Sequence, residues 1–257
     1  MADVLSIAFD AGYRMIDTAA SYSNEISLGK ALQKLSVRRD ELFIQDKLWI
    51  TNRGYHEAQK ACKKSLHKLK LDYLDAYLVH WPASPILHQN WEEVNAETWA
   101  GLEALQKDGV ARYIGVSNFK PYHIETLMKS ASVVPQINQI ELHPGFAQEQ
   151  TVVFCREHGI HVEAHSPLGN GQLMDNSLLK DIAATKGKTA AQVCLRWALD
   201  KGVTVIPKSA NPERIRENID IFDFSLSKEE TNTIDKLPFC GGIGLDSDEV
   251  VDFDKLQ

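Results

Sequence analysis

Apolar positions along the chain follow two alternating periods. Short apolar runs recur at RMIDTA (14–19), LFIQDKL (42–48), AYLVHW (76–81), RYIGVSN (112–118), QINQIEL (136–142), HVEAHSP (161–167) and TVIPKS (204–209). Between them lie stretches whose apolar residues recur at helical spacing, a rhythm that predicts βα units feeding a parallel sheet. Helix ends carry their own punctuation. The stretch 91–107 stops before Gly109 and the stretch 147–158 stops before Gly159, each glycine a candidate left-handed cap. Thr189 can cap a helix over 189–200 that ends before Gly202. Asn211, Pro212 and Glu213 read as a capping side chain, a first-position proline and a first-turn acid. One more helix is predicted over 2–11, leading through Gly12 into the first run.

No linker, charge block or short repeat interrupts this rhythm, so 1–257 reads as a single α/β domain, a TIM-type (β/α)8 barrel. Seven strands are recognisable where a closed barrel has eight, and 250–253 is too short and polar to supply another. The expectation is a barrel incomplete at its N-terminus. In such a barrel the residues at the strand C-termini share one mouth, which would bring together Asp17, Lys47, His80, Ser117, Asn118, Gln139 and Lys208.

A formal net charge of −7 argues against a nucleic-acid or anionic-membrane surface, but leaves room for a local basic pocket. The four cysteines show no metal-ligand spacing, and no apolar run approaches the length of a membrane span. They are expected to be reduced, mostly buried thiols in a cytoplasmic protein that binds no metal at them.

The chemistry concentrates on Asp17, Tyr22, Lys47 and His80. A tyrosine ionises near pH 10, so donating a proton at neutral pH calls for a neighbour that stabilises phenolate. A lysine ammonium does this, and a carboxylate beyond it keeps the lysine charged and oriented. Tyr22, Lys47 and Asp17 supply those parts, and His80 can hydrogen-bond a substrate oxygen. Lys208 and Ser209 stand just before a helix start, where backbone amides favour an anion, and Arg214 suits a phosphate or an adenine face. Trp49, Trp81 and Trp91 are candidate walls of the substrate opening, with loop packing the competing reading for Trp91.

GYRMIDTAASYSNE (12–25), LDYLDAYLVHWP (71–82), YIGVSNF (113–119), INQIELHP (137–144) and IPKSANPERIREN (206–218) resemble, in order, the signature segments of the aldo-keto reductase family. The tail GGIGLDSD (241–248) is similar to that of bacterial-type members such as diketogluconate reductases, with Ser247 where proline is usual. The resemblance implies reduction of an aldehyde or ketone by NADP(H), in preference to NAD(H), in a monomeric enzyme. It casts Tyr22 as acid, Lys47 and Asp17 as its supports, and His80 as the group orienting the carbonyl. Ser117, Asn118 and Gln139 would hold the nicotinamide carboxamide. Ser166 and Leu168 belong to the loop over the pyrophosphate, and Lys208, Ser209, Arg214 and Asn218 address the adenosine phosphate end. His165 stands where the family places a larger aromatic to stack on nicotinamide. Family members carry a hairpin and a strand ahead of the helix in which Met1 falls. Two readings follow, a working carbonyl reductase and a truncated, weakly active or inactive nucleotide-binding paralogue.

Overall fold

The computed structural model describes residues 1–86 and 88–249; the 250–253 segment lies outside them. Seven strands, β1 (Met15–Asp17), β2 (Phe43–Leu48), β3 (Leu74–Val79), β4 (Ala111–Ser117), β5 (Ile137–Glu141), β6 (His161–His165) and β7 (Thr204–Val205), form one sheet. They lie in sequence order, and every neighbouring pair is parallel. The helices are α1 (Ala2–Asp10), α2 (Glu25–Leu32), α3 (Tyr55–Leu69), α4 (Trp91–Lys107), α5 (Pro121–Met128), α6 (Glu149–Glu157), α7 (Ser177–Lys186), α8 (Ala190–Asp200), α9 (Pro212–Ile219) and α10 (Lys228–Asp235). The α/β barrel architecture read from the periodicity is the one observed.

Helix α4 spans the predicted 91–107 stretch, and Thr189 caps α8 as expected, its side chain accepting from the Gln192 amide. Helix α6 begins two residues later than its apolar pattern, because Gln148 before it adopts a left-handed conformation. The main core lies between the outward face of the strands and the helices, with Ile44, Leu74, Trp99, Leu102, Val116 and Trp197 all essentially inaccessible. Inside the sheet, alternation turns Ala76, Leu78 and Ile137 inward as a small apolar layer beneath the polar mouth.

Among the described residues, β1 and β7 each pair on one side only. Their helical neighbours nonetheless meet: the Tyr13 hydroxyl, just ahead of β1, donates to the Ile215 carbonyl of α9 at 3.2 Å. The seam encloses a cavity of about 120 Å³ lined by Phe9, Met15, Ile16, Pro207 and Ile215 among others. Among the described residues no helix is long and apolar enough to cross a membrane.

Candidate active site

Asp17 ends β1, Lys47 lies one residue before the end of β2, His80 follows β3, and Tyr22 closes a 3-10 turn (Ala20–Tyr22) after β1. That turn is held by the Thr18 hydroxyl donating to Asn24 Oδ1 at 2.8 Å, and a left-handed Ser23 follows it. Lys47 is completely buried. Its ammonium donates to Asp17 Oδ2 at 2.6 Å and to the Thr18 carbonyl at 3.1 Å, and it lies 3.4 Å from the Tyr22 hydroxyl. His80 stands edge-on to both Tyr22, at 5.7 Å between ring centroids, and Trp49, at 5.1 Å. The four residues singled out in the sequence therefore come together.

Electrostatics keeps each group in a defined state. Burial works most strongly against the Lys47 ammonium, but Asp17 and Tyr22 together outweigh it and the net shift is upward, so Lys47 stays charged. Burial also raises the Tyr22 phenol, and although Lys47 pulls it down, Asp17 pushes it back up. The net direction for Tyr22 is upward, opposite to what a Tyr–Lys pair alone suggests, chiefly because the phenol is buried and secondarily because the carboxylate that anchors Lys47 also faces it. Tyr22 is thus a protonated donor at neutral pH. His80 is driven far below the usual imidazole value, first by burial and then by Lys47, so its ring is neutral. Its Nδ1 has no partner among the described residues.

Behind this group lies a polar layer that sequence reasoning missed. Gln45 Nε2 donates to Asp17 Oδ1 at 2.9 Å and to Glu163 Oε2 at 2.7 Å; Gln139 Nε2 donates to the same two oxygens at 3.0 Å each. Register places Gln45 beside Asp17 and Glu163 beside Gln139, and the amides bridge the two pairs across the interior. Alternation within β2 sends Asp46 to the opposite face, where burial next to Glu25 raises its carboxyl to about 7.

The expected carboxamide residues are already bonded to one another. Ser117 Oγ donates to the Gln139 carbonyl at 2.7 Å, and Asn118 Nδ2 donates to the His80 carbonyl at 3.0 Å. Asn118 Oδ1 meets His165 Nε2 at 3.0 Å. Burial lowers the His165 imidazole to about 4, which makes it a neutral donor there. Ser166 adopts a left-handed backbone that turns the chain over the mouth.

Asp17, Tyr22, His80, Asn118, Gln139, His165 and Ser166 line a cavity of about 490 Å³ together with Trp49, Trp81, Ile243, Leu245 and Ser247. A second cleft of about 650 Å³, containing Leu168, Ser209, Arg214 and Asn218, shares Ser166, Ile206 and Lys208 with the first, so the two form one trough. Lys208 and Arg214 are exposed and make no ion pair among the described residues. The start of α9 keeps the expected Asn211 cap and first-position Pro212, but its amides are not free for an anion. Asn211 Oδ1 already accepts the Glu213 amide at 2.8 Å and the Arg214 amide at 3.0 Å, leaving anion recognition there to side chains. Trp91 lies away from the trough, edge-on to Tyr122 and His123 at 5.6 Å.

The tail contributes a wall for which a signal existed in the glycines of 241–244. Glu141 accepts the Ile243 amide at 2.7 Å and the Gly244 amide at 2.9 Å. Gly242, immediately before them, has φ +79°, and a Cβ there would collide with Glu141 Oε1 and His143 Nε2. Lys120 pairs with Asp246 and, at 2.7 Å, with Asp248 to hold the next stretch. Cys62, Cys155 and Cys194 are buried and Cys240 partly so; among the described residues no cluster of three metal-ligating side chains occurs.

The sequence profile of the Aldo/keto reductase family matches residues 1–238. A glyoxal reductase of Bacillus subtilis is 47% identical over 240 residues, 93% of this chain and 84% of the relative. The methylglyoxal reductase DkgA of Escherichia coli is 46% identical over 244 residues, 94% of this chain and 86% of the relative. The solved structure of a Bombyx mori aldo-keto reductase in complex with NADP superposes with a TM-score of 0.86 at 36% identity, covering 99% of this chain and 85% of the other. With seven consecutive parallel strands carrying the Asp17, Tyr22, Lys47 and His80 group at one mouth, and a family profile matching nearly the whole length, the chain belongs to the aldo/keto reductase family.

Proposed function

We propose that this chain is an oxidoreductase that reduces small aldehydes and ketones to alcohols with NADPH, using Tyr22 as the acid. The observation that carries this reading is the fully buried Lys47 ammonium joining Asp17 at 2.6 Å to Tyr22 at 3.4 Å on the wall of a cavity. The family relatives named for glyoxal and methylglyoxal point to compact, reactive carbonyl compounds as the substrate class.

The trough fits a nicotinamide dinucleotide phosphate by the chemistry of its donor set. Asn118 and Gln139 bring amide groups to the inner end, with Ser117 bonded behind them and His165 beside them. Lys208 and Arg214 present unpaired cations at the outer end, with Ser209 and Asn218 beside them. When bound, the cofactor supplies the hydride that reaches the carbonyl carbon. Neutral His80 can donate a hydrogen bond that holds the carbonyl oxygen towards Tyr22. The Tyr22 hydroxyl gives its proton to that oxygen, and the Lys47 ammonium stabilises the phenolate left behind. Asp17 keeps Lys47 charged and aimed. Trp49 and Trp81 offer apolar surface to the rest of a small substrate.

Tyr22→Phe is expected to abolish aldehyde-dependent NADPH oxidation while NADPH binding, followed by tryptophan fluorescence, stays within about twofold. Undiminished turnover in that variant would remove Tyr22 from the mechanism. Wild-type binding without turnover of any reactive aldehyde would favour a nucleotide-binding protein instead. The phosphate preference, resting on Lys208 and Arg214, is read from the ratio of NADPH to NADH dissociation constants.

A further inference from the structure

The Gln139 side chain reaches the cavity wall with both amide hydrogens already committed. One goes to Asp17 Oδ1 and the other to Glu163 Oε2, each at 3.0 Å. A primary amide has two donors and one carbonyl oxygen. The only polar group Gln139 can therefore offer to a molecule in the cavity it lines is Oε1, an acceptor.

Asp17 alone does not settle this orientation, since one hydrogen bond leaves the rest of the amide free to rotate. Glu163 supplies the second constraint. It is almost completely buried, sits beside Gln139 in the β5–β6 register, and is itself bonded by Gln45 from the far side of the interior. Reversing the Gln139 amide would aim its carbonyl at two carboxyl groups and take a donor away from each, a costly exchange. A protonated Glu163 still accepts through its other oxygen, and Asp17, held as an acceptor by the Lys47 ammonium, opposes the reversed carbonyl in either state of Glu163.

We propose that Glu163 is a positioning residue that locks Gln139 with its carbonyl oxygen towards the ligand, and so selects a carboxamide over a carboxylate at the inner end of the cavity. This rests on the nicotinamide nucleotide reading above and adds to it the residue that enforces the discrimination. A carboxamide can donate to Oε1, whereas a carboxylate in the same place would set two acceptors against each other.

The test compares dissociation constants for NADP⁺ and for its nicotinic acid analogue, in which a carboxylate replaces the carboxamide, with 2′,5′-ADP as a control for the outer end. The wild-type protein is expected to prefer the carboxamide by about 10- to 100-fold. Glu163→Gln, which keeps an acceptor and removes the charge, should retain that preference within about threefold. Glu163→Met should lose most of it while binding 2′,5′-ADP normally. Should Glu163→Met not fold, Glu163→Asp withdraws the acceptor by one methylene with less loss of volume and is expected to lose discrimination in the same direction. Wild-type discrimination in a folded Met or Asp variant would overturn the proposal. So would its loss in Glu163→Gln, which would mean that charge repulsion rather than amide orientation did the selecting. A wild-type protein that bound both nucleotides equally would overturn this proposal and leave the nucleotide reading standing, whereas one that bound neither would remove both.

Discussion

At the inner end of the trough Lys47, Asp17, Gln139 and Glu163 hold one another at 2.6 to 3.0 Å inside the fold. At the outer end Lys208 and Arg214 stand exposed, and the amides of the adjoining helix are spent on Asn211. The difference matches what the proposed function asks of each end. A proton transfer tolerates little error in position, so its groups are fixed by buried bonds that water cannot compete for. Holding a phosphate needs charge within reach, and flexible cations at the surface provide it at the cost of sensitivity to salt.

The sharpest way to break this contrast is at Lys47. Lys47→Met is expected to lower kcat about 10²- to 10⁴-fold with NADPH affinity little changed, measured by single-turnover kinetics and fluorescence titration. A loss of cofactor affinity as large as the loss of rate would show that the two ends are not separable. Arg214→Ala should do the reverse, weakening NADPH binding about tenfold, leaving NADH binding almost unchanged, and flattening the dependence of NADPH affinity on ionic strength. If salt weakens NADPH binding as steeply in Arg214→Ala as in the wild-type protein, the outer cation is not the one assigned.

Glu141 tests whether the tail belongs to the rigid end. Two tail amides rest on its carboxylate, so Glu141→Gln, able to accept but uncharged, is expected to raise KM for the aldehyde several-fold and to speed proteolysis within 241–248, with NADPH binding retained. Equal KM values in the two proteins would detach the tail from the pocket.

The smallest expected effect concerns the reverse face of the catalytic strand. Burial beside Glu25 raises Asp46 to about 7, above the ordinary aspartate range that applies in the unfolded chain. A group whose folded value is raised favours the folded state at low pH, and that advantage is lost as pH rises through about 7. Asp46→Asn should therefore raise Tm at pH 8 by about 3 °C or more and gain much less at pH 5. A Tm difference independent of pH would mean that Asp46 does not titrate in the folded protein.

Much of the architecture was legible because it depends on short stretches of chain. The apolar period and Gly109 bracket helix α4, and Thr189 caps α8 through its own next turn. Asp17, Tyr22, Lys47 and His80 were legible in part from chemistry and in full only through ordered motifs that resemble a family. The Gln45, Gln139 and Glu163 layer was not legible: Gln45 and Glu163 are 118 residues apart in the chain and read separately as ordinary polar positions in strands. Nor was the tail clamp, whose partners Glu141 and Ile243 lie 102 residues apart.

The sequence by itself determined the βα order, the helix caps and the set of reactive groups at strand ends, since each depends on residues within a turn or two of one another. Tertiary structure alone decided that Asp17 would raise the Tyr22 phenol while anchoring Lys47, and that Gln139 would spend its hydrogens on two acids. Both depend on which groups face each other when the strands curl into register. Hydrogen bonds and buried charges are sensitive to differences of a few tenths of an ångström, a scale that chain order does not encode.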